Sequence, residues 1–143
     1  MSDPSSGFYL WEELARSTVP VDSWDLCEVL LSKDANYPGW LLLVPRRANA
    51  TEIIHLSDEE QIQLIQEISK ASKLLQKVFN PDKLNVAAIG NVVAQLHIHV
   101  VPRFKTDIAW PGPIWGAYPA KEFQNDEHSV LVTKLKSAIE EFH

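Results

Sequence analysis

The sequence carries a single cysteine, Cys27, so no intramolecular disulfide can form, and a lone thiol fits a reducing compartment. No apolar stretch approaches the roughly 18 residues that a membrane-spanning helix needs. The opening Met1-Ser2-Asp3-Pro4-Ser5-Ser6 has neither the basic nor the apolar segment of a secretory leader. These absences lead us to expect a soluble, cytoplasmic protein with no membrane partner. Basic residues are also scarce, 13 Lys and Arg against 19 Asp and Glu, for a net charge of −6. That balance argues against a general nucleic-acid-binding surface while leaving room for a local anion site. Internal repeats, low-complexity tracts and linker-like segments are missing too. The 143 residues, 45% hydrophobic and 22% charged, therefore read as one globular domain over 1–143.

Taken in order, Met1 to Gly7 reads as a loose start, and Phe8–Arg16 as a short helix at best, stopped by Pro20. Trp24–Leu31 and Trp40–Val44 read as apolar strands. The turn formers Lys33 to Gly39 between them predict an antiparallel hairpin with both faces largely covered. Ser57-Asp58-Glu59-Glu60 is a capping box that opens the longest helix, which Asn80-Pro81 ends. Ile62, Ile65, Ile68, Ser72, Leu75 and Phe79 mark its expected apolar face. Leu84–Ile89 reads as a strand, Gly90-Asn91 as a tight turn or bulge, and Gln95–Phe104 as the returning strand. The stretch 107–116, with Trp110 and Trp115 among prolines and glycines, should pack on the domain or cover a site. A last helix is expected over about 128–142, with Leu131, Leu135, Ala138 and Phe142 inward.

The most informative stretch is Gln95-Leu96-His97-Ile98-His99-Val100-Val101-Pro102-Arg103. Its alternation places Leu96, Ile98 and Val100 on one face and Gln95, His97, His99 and Arg103 on the other. Alternate side chains of a strand stand about 7 Å apart, so an amide and two imidazoles line up. Spacing alone leaves three readings open: structural histidines, a phosphate or nucleophile site, or a metal site. His-x-His suits zinc, yet His55, His128, His143 and Cys27 lie at no telling distance for completing a ligand set.

His97-Ile98-His99-Val100-Val101-Pro102-Arg103 resembles the end of the histidine triad motif, His-φ-His-φ-His-φ-φ with φ apolar. The features around it follow in the same order. They are the strand pair joined through Pro38-Gly39, the Val44-Pro45 strand end, the Ser57-capped helix, Asn85, Gly90-Asn91 and, downstream, Trp115. The likeness covers about 24–115, and the chain is similar to the bacterial diadenosine-tetraphosphate-hydrolase-like branch. It implies an α+β fold: an antiparallel sheet of about five strands, one long helix packed on it and a C-terminal helix. It also implies a homodimer and a purine nucleotide conjugate or dinucleoside polyphosphate as partner. The implied reaction is attack on the α-phosphate through a nucleotidyl-histidine intermediate, with no cofactor and no metal.

Carried over by position, the resemblance makes His97 the nucleophile and His99 a donor to the phosphate or leaving group. Gln95 stands at the first triad position, where an amide can orient but cannot titrate. Asn85, Asn91 and Ser32 fall on substrate-contacting positions. Trp40 replaces another histidine of many members, and Val92 a hydroxyl residue. With Gln95, these two departures define the rival expectation, a nucleotide-binding or sensing protein with little turnover. Arg46-Arg47 is read mainly as solvated charge, Arg103 as a phosphate contact or the partner of an acid, and Trp110 and Trp115 as packing or site walls. Cys27 is expected to be a buried small hydrophobe.

Overall fold

The computed structural model describes residues 7–142; the expected loose start over 1–6 lies outside the described residues, as does residue 143. Five strands form one antiparallel sheet: β1 Thr18–Ser23, β2 Cys27–Ser32, β3 Leu41–Pro45, β4 Lys83–Ala87 and β5 Ile98–Arg103. Their spatial order is β1-β2-β3-β5-β4, which places β5 inside the sheet between β3 and β4. The helices are α1 Glu12–Ser17, α2 Asp58–Phe79 and α3 Glu127–Glu140. This is the α+β architecture expected, and the β2–β3 hairpin is present with Leu30 opposite Leu42.

β1 was not visible in the sequence. Pro20 reads as a helix stop, but it sits inside an edge strand, where a missing N–H costs little, beside an irregularity between Pro20 and Asp22. The histidine strand is shorter than its alternation predicts. Residues 88–97 leave the sheet, and the Leu96 N–H donates to the Ala50 carbonyl instead of a strand neighbour.

Both sheet faces are covered, so every residue of β5 is buried. One face carries the main core, in which Leu96, Ile98 and Val100 pack with Leu64, Ala71 and Leu75 of α2 and Leu135 and Ile139 of α3. The other face is covered in two pieces. Phe8, Leu10 and Leu14 pack over Leu30, Leu42 and Val44, while Ile114 and Trp115 pack with Tyr37 and Val101.

The Ser57 hydroxyl accepts from Glu60 N–H and the Glu60 carboxylate accepts from Ser57 N–H, so the capping box forms as read; Asn80 ends the helix in the left-handed region. The apolar face of α2 is displaced from the one expected. Leu64, Glu67, Ala71, Leu74 and Leu75 are buried, whereas Ile62 and Ile65 are 61% and 65% exposed. The sequence carries two overlapping apolar series, and the sheet takes the one that starts at Leu64. In α3, Leu135 and Ala138 turn inward as expected, but Phe142 lies past the helix end and is 37% exposed.

Glu67 is the buried carboxylate of this core. It accepts from the backbone N–H groups of Leu26 and Cys27, both at 2.9 Å, and from Gln63 Nε2 at 2.7 Å. It thereby satisfies the chain at the start of β2, where a buried unpaired N–H would be expensive. Glu67→Ala orphans both donors and is expected to cost on the order of 3 kcal/mol. The check is a lower denaturant midpoint at unchanged slope. Burial pushes the Cys27 thiol pKa up, reinforced by Glu67, so it stays protonated and inert.

Candidate active site

His99 stands on β5 opposite Leu42 of β3 and Ala87 of β4, and His97 lies just before the strand begins. Their rings meet edge-on, with centroids 4.8 Å apart. Both are buried and both line a cavity of about 740 Å³, a size that suits a nucleotide. Its walls are largely apolar and aromatic, with Trp40, Ile114, Trp115 and Tyr118 prominent. Arg16, Lys33 and Lys121 supply positive charge on exposed parts of the wall.

The hydrogen bonds determine which nitrogen of each ring carries a proton. His97 Nδ1 lies 2.7 Å from the Gln95 carbonyl oxygen. A carbonyl only accepts, so Nδ1 carries the hydrogen and neutral His97 keeps its lone pair on Nε2. That is the tautomer a nucleophile needs. His99 is held the other way round. Trp40 Nε1–H donates to His99 Nδ1 at 3.0 Å, so the His99 proton sits on Nε2 as a donor. Burial, with His97 beside it, drives the pKa of His99 down to about 3. The Trp115 ring closes the far side of His99, centroids 5.1 Å apart.

The expected site residues divide. His97, His99, Ser32 and Asn91 come together on the cavity wall. Ser32 Oγ accepts from Asp34 N–H at 3.1 Å and keeps its own hydrogen to donate; Asn91 is exposed on the loop after Gly90. Gln95 and Asn85 do not join them. The Gln95 amide is spent on the N-terminal segment, Oε1 accepting from Trp11 N–H and Nε2 donating to the Tyr9 carbonyl, each at 2.9 Å. Its side chain is thus engaged away from the cavity wall. Asn85 Oδ1 accepts from Arg103 Nη1 at 2.7 Å, off the cavity wall.

Arg103 takes the acidic partner rather than phosphate, through Asp107 at 2.8 and 3.0 Å, and Trp110 lies beside its guanidinium rather than in the cavity. Arg46 and Arg47 pair with Glu28 and Glu60, away from the cavity. Val92 is 97% exposed on the cavity rim. The basic wall residues had no signal in the sequence; Lys121 enters from a loop that no periodicity marks. Among the described residues, no three His, Cys, Asp or Glu side chains gather into a metal-sized cluster.

The family profile described as HIT domain matches residues 17–106. Among solved structures, a histidine triad protein from Bradyrhizobium japonicum superposes with a TM-score of 0.88 at 43% identity, covering 92% of this chain and 98% of that one. A curated relative from Mycobacterium tuberculosis (strain ATCC 25618 / H37Rv), named AP-4-A phosphorylase, is 31% identical over 103 residues, 68% of this chain and 52% of that protein. Another from Schizosaccharomyces pombe, named bis(5'-nucleosyl)-tetraphosphatase (asymmetrical), is 29% identical over 77 residues, 50% of this chain and 42% of its own. The chain spans about half the length of the curated relatives it matches.

Proposed function

The chain belongs to the HIT domain family, and from that premise we propose that it cleaves a purine nucleotide conjugate or dinucleoside polyphosphate at the α-phosphate. One observation carries the reading: His97 has its Nδ1–H tied to a backbone carbonyl and its Nε2 lone pair available, next to a neutral Nε2–H donor, in a nucleotide-sized cavity. His97 attacks phosphorus, and the His99 N–H steadies charge on the phosphoryl oxygens. Ser32 and Asn91 contact the nucleotide, and Trp115 with Ile114 walls the base. The names of the curated relatives point to the same substrate class.

The test is single-turnover reaction with diadenosine tetraphosphate. Attack at the α-phosphate releases ATP and leaves AMP on His97, and water then frees AMP. Binding with no products and no adduct would move the protein to the rival reading, a nucleotide-binding or sensing protein, which the non-titratable Gln95 and the exposed Val92 favour.

The same reading includes a cytoplasmic location, which the single buried thiol supports. Among the described residues, no helix is long and apolar enough to cross a membrane. It also includes a homodimer. Ile62 and Ile65 of α2 stand exposed, and among the described residues β4 is a free sheet edge with Val86 48% exposed, so two copies offer each other a helix face and a strand edge. Light scattering is expected to give twice the chain mass, and Ile65→Asp to halve it.

A further inference from the structure

We propose that Trp40 sets leaving-group specificity: by donating its indole N–H to His99 Nδ1 it holds that ring as an Nε2–H donor, and so confines cleavage to phosphoric anhydrides over phosphoramidates. The inference rests on the reading of His97 as the attacking group.

An indole N–H can donate but never accept. Protonating His99 Nδ1 would set two N–H groups face to face across 3.0 Å. Burial acts in the same direction. His99 therefore offers a hydrogen bond and has no proton to give away cheaply. The first triad position supplies none either, because Gln95 does not titrate and both ends of its amide are occupied. On the cavity wall, Arg16, Lys33, Lys121, Glu122 and Tyr118 are exposed, and Asp34 accepts from the backbone N–H groups of Asn36 and Lys121. The Tyr37 hydroxyl is buried on the same wall with no hydrogen-bond partner among the described residues, and burial raises its pKa, so it holds its proton tightly. His97 Nδ1–H is engaged by the Gln95 carbonyl.

Proton supply matters in the first step. The His97 Nε2 lone pair forms a bond to the α-phosphorus while the bond from phosphorus to the bridging oxygen breaks. The electron pair leaves on that oxygen, and a polyphosphate carries it as a stable anion without a proton. In the second step, water oxygen bonds to phosphorus, the P–N pair returns to His97 Nε2 and a proton passes to solvent. A phosphoramidate differs at the first step. Its P–N bond would expel an amide anion unless the nitrogen is protonated first, and the buried O–H groups on this wall, those of Tyr37 and Ser32, are weak acids.

The experiment compares diadenosine tetraphosphate with adenosine 5′-phosphoramidate, which share the AMP moiety, in single turnover near pH 7. The anhydride should be cleaved faster by about 100-fold or more, the scale of a missing general acid. Trp40→Phe keeps an aromatic ring but frees Nδ1, and should narrow that ratio by about 10-fold. In ¹⁵N-histidine NMR, His99 Nδ1 of the intact protein should show the shift of an unprotonated nitrogen from pH 8 to pH 5. Equal or faster phosphoramidate cleavage, an unchanged ratio in Trp40→Phe, or a protonated Nδ1 would each overturn the proposal and leave α-phosphate cleavage standing. Cleavage of neither substrate would overturn the hydrolase reading, and this inference with it.

Discussion

His97→Ala is expected to abolish the AMP adduct and to slow single-turnover cleavage of diadenosine tetraphosphate by about 10⁴-fold or more. The loss is large because the proposed mechanism divides one difficult displacement into two, and both pass through His97 Nε2. Binding should survive far better than turnover. The apolar wall, Ser32 and the exposed basic residues remain in place, so substrate affinity should change by less than about 10-fold while the chemical step collapses. That split separates a lost nucleophile from a damaged pocket. Added imidazole sharpens the test, since it can enter the space left by the ring, take the nucleotidyl group and release it as a free adduct. A His97→Ala protein that cleaves at the native rate would remove His97 from the chemistry. The thermal melt should stay close to native, because His97 lies before the strand on the cavity side rather than in the main core.

Arg103→Ala should be the most destabilising single change, costing about 3–5 kcal/mol and lowering the melting temperature by roughly 10–15 °C. Arg103 is 2% exposed and is the largest fully buried side chain among the described residues. Its guanidinium donates to both Asp107 oxygens, to Asn85 Oδ1 and to the Gly112 carbonyl at 2.8 Å, joining β5, β4 and the aromatic stretch. Truncation leaves the Asp107 carboxylate buried without its cation and frees the segment that carries Ile114 and Trp115 against the site. Activity should therefore fall along with stability, through a looser wall at His99.

The pH dependence of this pair has a definite sign. Burial alone would raise the Asp107 carboxyl pKa, but the Arg103 hydrogen bond and the N–H groups of Phe104 and Ala109 outweigh it, and the net shift is downward. A folded pKa below the unfolded one contributes stability above the ordinary carboxyl range near pH 4, lost as pH falls below it. The gap between native protein and Arg103→Ala should accordingly narrow in acid. A gap that stays constant from pH 7 to pH 3 would show that packing, not the ion pair, accounts for the loss. Asp107→Asn should shrink the same gap at neutral pH.

The features legible in the sequence were those that short-range physics decides. The Ser57–Glu60 capping box, the Asn80 stop, the Lys33–Gly39 turn and the alternation that sets His97 and His99 opposite Ile98 and Val100 each depend on residues a few positions apart. Such patterns specify local geometry whatever the rest of the chain does. The tertiary structure decided everything that depends on partners far along the chain. Trp40 reaches His99 from 59 positions away because β3 and β5 are neighbours in the sheet, and so a departure from the family pattern acquires a hydrogen bond that fixes a tautomer. Gln95 meets Trp11 across 84 positions, and Asn85 meets Arg103 across β4 and β5, so two side chains that look available in the sequence are occupied in the fold. The same holds for α2, where the periodicity admits two apolar faces and only the sheet it lies on selects Leu64 over Ile62 and Ile65. Periodicity says that a face is buried; which groups meet on it depends on strand order, and strand order is set by burial summed over the whole domain.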